Sequence, residues 1–391
     1  MLRAYKYQIY PNKEQQEQLE MFFGAVRWVY NWGLEQKISQ YNETKKSDSC
    51  FGLINKLTKL KETDEFGWLN NAPAQALQMS LRNLDNSFTA FFRHQNKFPS
   101  FKSKKKDRKS IQFPQNVRVD FGSRSVSIPK LKEVKMAKDR KFEGTIKTST
   151  VSKTPTGRYY ISILVEDGLS LPVVNKIDEN KTIGIDLGVK DFAILSDGTK
   201  IKNDRFLNKQ LIKLAVHQRR LSRKQKGSKN YVGEKIRVAK IHERVTFQRK
   251  DFQHKLSSKL AYDNQVTAIC MENLSVEDML KNKLLARNIL DVGWSQFVAM
   301  IKYKCEWAGK AFVQIGRFES SSKTCSCGCI NEELKLSDRV WTCKYCGSTH
   351  DRDILAANNI KLFGLETARR GGHHFVDKQS LLEGLSTSSD R

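Results

Sequence analysis

The first ten residues alternate. Leu2, Ala4, Tyr5, Tyr7 and Ile9 interleave with Arg3, Lys6 and Gln8, a period of two that predicts a strand ending at Pro11. Asn12 then offers a helix N-cap, with Gln15 three residues on as its capping-box partner. Leu19, Phe22, Phe23, Val26, Val29 and Tyr30 recur at helical spacing, so a buried helix follows. A second helix is predicted from near Pro73, striped by Leu77, Leu81, Leu84, Phe88, Phe91 and Phe92. Both stripes read as core packing, and residues 12–95 as a helical domain inserted after one strand.

Beyond them the period changes. KFPSFKSKKKDRKS, residues 97–110, is a basic loop carrying two aromatics, Phe98 and Phe101. Short alternating runs then recur from 111 to 166 (SIQFP, VRVDF, SVSIP, GTIKTSTVSKT, RYYISILVE), parted by Gly122, Pro129 and Pro155–Gly157. They predict a small antiparallel sheet or barrel that takes in the N-terminal strand. Residues 167–181 read as a linker. KTIGIDLGVKDFAILSDGTKIK, 181–202, is a hairpin that continues into a third strand. A long helical pattern covers 201–260, and VTAICMENL, 266–274, is a short apolar strand. Helical segments, a strand near Phe312–Ile315 and a final helix from near Asp353 complete the series. The stretch after about 370 is polar and expected to be disordered.

Composition narrows the classes. The chain has 391 residues, 39% of them hydrophobic, enough for cores and for two to four domains at roughly 100–200 residues each. It lacks a run of about 18 apolar residues that could span a membrane. MLRAYKYQIY does not look like a signal peptide, so a reducing cytosol is expected, in which cysteines stay free or bind metal. A net charge of +27 calls for a polyanion, because charge of one sign repels itself in a compact state. Residues 201–260 hold 18 Lys or Arg against 4 Asp or Glu, a net of +14 and over half of the total excess. Nucleic-acid contacts are therefore expected from Arg219, Arg220, Arg223 and Lys224, and from Lys102, Lys104, Lys105 and Lys106 in the basic loop.

Two constellations carry chemistry. Three acids stand in apolar surroundings: Asp186 in GIDLG on a strand, Glu272 in ICMENL at a strand end, and Asp353 in HDRDILAANNI at a helix start. A lone buried carboxylate costs several kcal/mol unless paired or metal-bound. Any one of them alone reads as a cap or an ion pair; three together suit Mg or Mn, which take hard oxygen ligands. Two such ions about 4 Å apart can activate water and stabilise the leaving oxygen of a phosphodiester. No Walker loop, G-x-G-x-x-G or nucleophile elbow offers another engine. The second constellation is cysteine spacing. Cys343 and Cys346 form Cys-x-x-Cys before Gly347, and Cys325, Cys327 and Cys329 lie upstream in TCSCGC. Two chelating pairs would make a closed structural zinc site. Cys325 and Cys327 are the preferred upstream pair, because Cys327 precedes Gly328 as Cys346 precedes Gly347; Cys329 competes. Cys50, Cys270 and Cys305 read as core residues.

GIDLGVKDFAILSDG, the MENL acid, SSKTC…WTCKYCGSTHDRD and AANNI resemble TnpB, the nuclease family of insertion-sequence transposons related to type V CRISPR effectors. RAYKYQIYPNKEQ…VRWVYNWGL, PAQALQMSLRNLDNSFTAFF and FPSFKSKKK extend the resemblance over nearly the whole chain, in family order. It implies a multidomain α+β protein. A wedge-type β-barrel would comprise 1–10 and 111–170, split by a helical recognition domain at 11–110. A RuvC-like nuclease domain of RNase H fold would comprise 181–318 and 351–370, interrupted by a zinc ribbon at 319–350 and followed by a tail at 371–391. The family's catalytic acids fall on Asp186, Glu272 and Asp353, with Asp353 preferred to Asp351 because it directly precedes the x-x-Ala-Ala segment. Its zinc ligands fall on Cys343 and Cys346, while the upstream pair is one residue short. The implied activity is RNA-guided endonuclease cleavage of double-stranded DNA beside a short flanking motif, with a guide RNA from the transposon end. The implied cofactors are Mg or Mn at the acids and structural Zn, and the implied setting is cytoplasm and nucleoid. An RNA-guided binder without catalysis and a cut-and-paste transposase share these features. The transposase is disfavoured by the lack of an evident helix-turn-helix signal for reading transposon ends.

Overall fold

The computed structural model describes the chain except for residues 106, 138–139, 175, 318, 336–337 and 372–391. Lys106 and the expected tail from 372 onward thus lie outside the described residues. Two compact units divide the chain, Met1–Ser170 and Leu171–Arg391.

In the first unit the alternating start forms β1 (Leu2–Tyr10), with Tyr7 and Ile9 buried. The 32-residue helix α1 (Lys13–Thr44) begins on the expected capping box: the Gln15 N–H donates to Asn12 Oδ1 at 2.8 Å, and the Asn12 N–H to Gln15 Oε1 at 3.0 Å. Such a cap contributes about 1 kcal/mol. A short helix, α2 (Cys50–Leu60), was not legible in the pattern, because it buries only Leu53 and Leu57. In α3 (Ala74–Phe92) the stripe buries Leu77, Leu81 and Leu84 but leaves Phe92 exposed. Six strands follow: β2 (Lys109–Phe113), β3 (Arg118–Asp120), β4 (Ser125–Ile128), β5 (Lys132–Met136), β6 (Thr145–Lys153) and β7 (Tyr159–Glu166). They join β1 in an antiparallel sheet ordered β2-β6-β7-β1-β5-β4-β3. The first strand is therefore central, held by β7 along its whole length and by β5 at Ile9 and Tyr10. Helices and sheet share one core, in which Leu19, Phe22 and Leu77 pack with Tyr7, Ile111 and Ile161.

The second unit begins with β8 (Thr182–Leu187), β9 (Asp191–Leu195) and β10 (Lys200–Lys202), the expected hairpin and its continuation. The helical pattern over 201–260 is not one element but two, α4 (Leu211–Ser222) and α5 (Lys229–Ala261). The break falls where Gly227 takes φ +90° and Ser228 caps α5 by accepting the Tyr231 N–H at 3.1 Å. The densest cations thus run from the last turn of α4, with Arg219 and Arg220, across the connection to Lys229 at the start of α5. His217 of α4 and the buried Glu234 of α5 meet at 2.6 Å and hold the hairpin together. Then come β11 (Ala268–Met271), α6 (Val276–Met279), α7 (Lys283–Val292), α8 (Trp294–Trp307), β12 (Ala311–Gln314), β13 (Val340–Thr342), β14 (Thr349–Asp351) and α9 (Arg352–Arg369). The sheet runs β10-β9-β8-β11-β12, with β8, β11 and β12 parallel and β9 and β10 antiparallel. All four β11 residues are buried, as a strand covered on both faces must be. No described helix is long and apolar enough to cross a membrane.

Candidate functional site

The parallel register of β8 and β11 sets Ile183 beside Ile269 and Ile185 beside Met271. The next residue along each strand is Asp186 and Glu272, so two carboxylates leave the same C-terminal edge, where open α/β sheets commonly bind ligands. The third acid arrives on α9, which lies against β8 and β11. Two glycines admit it. A Cβ at Gly184 would overlap the Ala357 carbonyl oxygen and stand 2.7 Å from the Lys361 nitrogen; one at Gly364 would stand 2.7 Å from Cys270 Cβ. With Ala357 pressed onto Gly184, Asp353, one turn earlier, is carried to the end of β8.

Charge follows from this placement. Burial, then the charges of Glu272 and Asp353, push Asp186 up to about 7, against the opposing Arg352 and a backbone N–H bond at Leu187. Burial also raises Glu272, against the Ser321 hydroxyl that donates to its Oε1. Asp353 is held by cations: Arg339 Nη1 lies 3.0 Å from each of its oxygens, and Arg352 Nη2 lies 3.2 Å from Oδ1. Asp351 has a different task. It is the N-cap of α9, accepting from the Asp353 and Ile354 N–H groups, and it pairs with Lys200 at 2.6 Å. Burial would raise it, but Lys200 and those N–H bonds hold it below the ordinary carboxylate range. Asp186, Glu272 and Asp353 are each half-buried, and Asp186 feels the charges of the other two; carboxylate oxygens of this kind are donors that suit a hard divalent cation.

The cysteines form a tighter group. Cys325, Cys327, Cys343 and Cys346 bring their sulfurs within 4.8 Å of one another. Cys325 and Cys346 sulfurs lie 3.5 Å apart and those of Cys327 and Cys343 3.7 Å, against the roughly 3.8 Å edge of a tetrahedron with 2.3 Å Zn–S bonds. Two tight turns set them. The Gly347 N–H donates to the Cys343 carbonyl at 3.0 Å, and the Gly328 N–H to the Cys325 carbonyl at 2.9 Å; both glycines have positive φ. The upstream turn closes although it is one residue short, which brings in Cys327. Cys329 is used through its carbonyl, which accepts the Cys325 N–H at 2.8 Å. The donor set and its spacing fit zinc. Cys270 and Cys305 are buried, and Cys50 half-buried.

Among the expected nucleic-acid contacts, Lys104, Lys105, Arg219, Arg220 and Arg223 are exposed and Lys224 is half-buried. Lys102 is used locally. Its backbone pairs with the Asn31 side chain at 2.7 and 2.9 Å, and its Nζ lies 3.6 Å from the Tyr30 ring centre, where burial lowers its pKa. Arg339, Ser321, Asn359 and His350 were not singled out in the sequence. His350 Nε2 stands 3.1 Å from Cys325 Sγ, and Asn359 holds the Ser321 and Thr324 carbonyls. Their proximity to the acid and cysteine motifs was the only signal available.

Fold and site together define a mixed α+β protein that combines a four-cysteine cluster able to hold a metal ion with three carboxylates at the end of a partly parallel sheet. The chain belongs to the TnpB family. It is 36% identical over 389 residues to a "Putative RNA-guided DNA endonuclease" of Streptomyces pristinaespiralis, covering 98% of this chain and 95% of the relative. It is 31% identical to the similarly named InsQ of Escherichia coli K12, covering 93% and 92%. A family model described as "Probable transposase" matches residues 161–283, and one for the Cas12f1-like TNB domain matches 294–360. A third, described as a helix-turn-helix domain, matches 1–46. That match goes against the expectation that the chain carries no helix-turn-helix signal; residues 1–46 here form β1 and α1. The solved Cas12f1–sgRNA–target DNA complex shares the fold, with a TM-score of 0.56 at 16% identity, over 92% of this chain and 98% of that one.

Proposed function

We propose that this protein is an RNA-guided DNA endonuclease whose second unit is a RuvC-like, RNase H-type nuclease interrupted by a zinc ribbon. The observation that carries the reading is the placement of Asp186, Glu272 and Asp353 at one sheet edge, where burial first, and then the charges of Glu272 and Asp353, push Asp186 up to about 7. The strand order β10-β9-β8-β11-β12, backed by α9, supports the RNase H assignment. In the first unit, the sheet would serve as the wedge-type barrel and α1–α3 as the recognition domain. The names of the curated relatives support guide RNA and target DNA as partners, and the net charge of +27 suits both.

Asp186, Glu272 and Asp353 would hold magnesium or manganese. Bound there, the cation supplies Lewis acidity, activating water and offsetting charge on the leaving phosphodiester oxygen. The residues themselves divide the work. Asp186 and Glu272 present oxygens from adjacent strands; Arg339 and Arg352 neutralise Asp353 until a cation competes for it. Cys325, Cys327, Cys343 and Cys346 would bind zinc with no position left for water, a structural role. The exposed Lys104, Lys105, Arg219, Arg220 and Arg223, with Lys224, would grip phosphates, while base pairing with the guide selects the target. The protein would act in the cytoplasm, on the nucleoid.

The test is cleavage of a matched duplex by protein copurified with its RNA. Asp186→Ala, Glu272→Ala and Asp353→Ala should each abolish Mg-dependent cutting while RNA and target binding survive. Cutting by the triple variant would refute the assignment, and a smear of random cellular RNA in place of one discrete species would remove the guide.

A further inference from the structure

Glu272 stands one residue beyond the end of its strand. β11 ends at Met271, and residues 272–275 are irregular. A carboxylate at the mouth of a site, on irregular chain, needs another element to orient it. That element is the segment leading into the thiolate cluster. The Ser321 hydroxyl donates to Glu272 Oε1, and Ser321 is only 6% exposed. Ser321 is itself fixed. Asn359 of α9, 3% exposed, donates from Nδ2 to the Ser321 carbonyl at 2.7 Å and to the Thr324 carbonyl at 2.6 Å. The Thr324 N–H and hydroxyl both return to the Ser320 carbonyl, at 3.1 and 2.8 Å, which makes residues 320–324 a rigid turn. The next residue is Cys325, the first of the clustered cysteines.

We propose that Ser321, held by Asn359, is a positioning residue that aims the Glu272 carboxylate toward the divalent cation. The inference rests on reading Asp186, Glu272 and Asp353 as the cation site. Two features make the Asn359–Ser321–Glu272 chain more than packing. Asn359 spends both amide hydrogens on carbonyls of one turn, an expensive use of a buried polar side chain unless that turn must not move. Ser321 in turn spends its single hydroxyl hydrogen on one oxygen of Glu272, leaving the other oxygen and the remaining lone pairs for a ligand. The same helix that delivers Asp353 thus also fixes Glu272, through the entry to the ribbon.

The test uses the full-length protein and Mn²⁺, followed by the electron-spin signal of free Mn²⁺, with Asp186→Ala defining which bound Mn²⁺ belongs to this site. In Ser321→Ala, site-specific Mn²⁺ affinity should fall about 10–100-fold, and cleavage at limiting Mg should fall in parallel. Zinc content, melting temperature and guide-RNA binding should stay as in the parent, and Ser321→Thr, which keeps the hydroxyl, should bind Mn²⁺ more tightly than Ser321→Ala. Unchanged Mn²⁺ affinity in Ser321→Ala overturns the proposal. So does a loss that comes with zinc release or a lowered melting temperature in both variants, because that is a structural role. If Asp186→Ala itself binds Mn²⁺ and cuts like the parent, it is the cation site that has failed, a result separate from either.

Discussion

The two side-chain clusters of the second unit face the same difficulty and settle it differently. Each crowds groups that cannot all be negative together. Among the sulfurs, burial pushes the Cys325 thiol up to about 11 while bonds from Ser348 draw Cys346 down to about 6. Among the carboxylates, Asp186 is pushed up to about 7. The sulfurs nevertheless sit at 3.5–3.7 Å in their close pairs, because two glycine-ended turns leave them nowhere else to go. The carboxylates come from two strands and a helix, and their neighbours quiet them: two arginines on Asp353 and one hydroxyl on Glu272. A cluster made by local turns closes on one ion and ends there. One made by long-range packing keeps its carboxylates only loosely neutralised, as the proposed cation site would need.

The largest effect should come from opening the closed cluster. Zinc binding contributes roughly 10–16 kcal/mol of apparent free energy in small structural sites, most of it folding energy. Cys343→Ser should therefore release zinc and expose the segment from 319 to 350 to protease. Because Arg339 lies just ahead of β13 and holds Asp353, cleavage should be lost as well. Metal analysis with limited proteolysis checks this; a variant that keeps stoichiometric zinc and a resistant ribbon contradicts it.

The open cluster should respond in the opposite sense. Asp186 has a raised pKa in the fold, so its charged form opposes folding when no divalent cation is bound. Below about pH 4 it is protonated in both states and costs nothing. Between about 4 and 7 the unfolded chain releases the proton and the native one keeps it, so stability falls as pH rises; above 7 the penalty is constant. The shift from 3.8 to about 7 sets an upper bound of about 4 kcal/mol, reduced because the side chain keeps some solvent contact. Asp186→Asn should thus raise stability by roughly 1–4 kcal/mol at pH 8 but by only about half a kcal/mol at pH 4, where the unfolded carboxyl is only partly ionised, while eliminating cleavage. Urea unfolding in magnesium-free buffer with zinc retained measures it. Equal stability of the two proteins at pH 8 would show that neither burial nor the neighbouring carboxylates raise Asp186.

These two clusters also show what could be read beforehand. Asp186, Glu272 and Asp353 were legible because an acid among isoleucines, methionine and alanines contradicts its surroundings. The cysteines were legible because their turns are local, which is also why the glycine after Cys327 pointed to the cysteine whose sulfur lies with the other three. The first strand was legible by its period of two, although its central place between β5 and β7 depends on chain more than a hundred residues away. What stayed hidden is whatever acts only through distant contacts. Ser321, Asn359 and Arg339 are ordinary residues in polar or helical stretches; only the fold brings Ser321 to Glu272, Arg339 to Asp353 and Asn359 to the turn that holds Ser321. The break between α4 and α5 was masked by cations on both sides, and the contact of Lys102 Nζ with the Tyr30 ring could not be read from the basic run around it.

A smaller effect tests the packing that delivers the third acid. Gly184→Ala forces a methyl into the α9 backbone, and overpacking of this kind costs about 1–3 kcal/mol. Since the helix must move away from β8, Asp353 should move with it. Mn²⁺ affinity is then expected to drop more in Gly184→Ala than in Gly364→Ala, where the added methyl meets the Cys270 side chain rather than backbone. Equal losses at both positions would mean that α9 shifts as a rigid body and that the Gly184 contact has no special role in placing Asp353.

The smallest effect belongs to the fifth cysteine. Cys329 is half-buried beside Trp341 and supplies a carbonyl, not a sulfur, to the upstream turn. Serine preserves that carbonyl, so Cys329→Ser should cost less than about 1 kcal/mol and leave zinc stoichiometry unchanged. Cobalt substituted for zinc makes the comparison direct, because its thiolate charge-transfer band scales with the number of sulfur ligands. Cys329→Ser should keep the full band, and Cys327→Ser should lose about a quarter of it, one ligand of the four clustered sulfurs. The reverse pattern would mean that the shortened turn reopens on metal binding and delivers Cys329 instead. The closed cluster would then be set by the ion rather than by its two glycine-ended turns, and its contrast with the carboxylates would lose its cause.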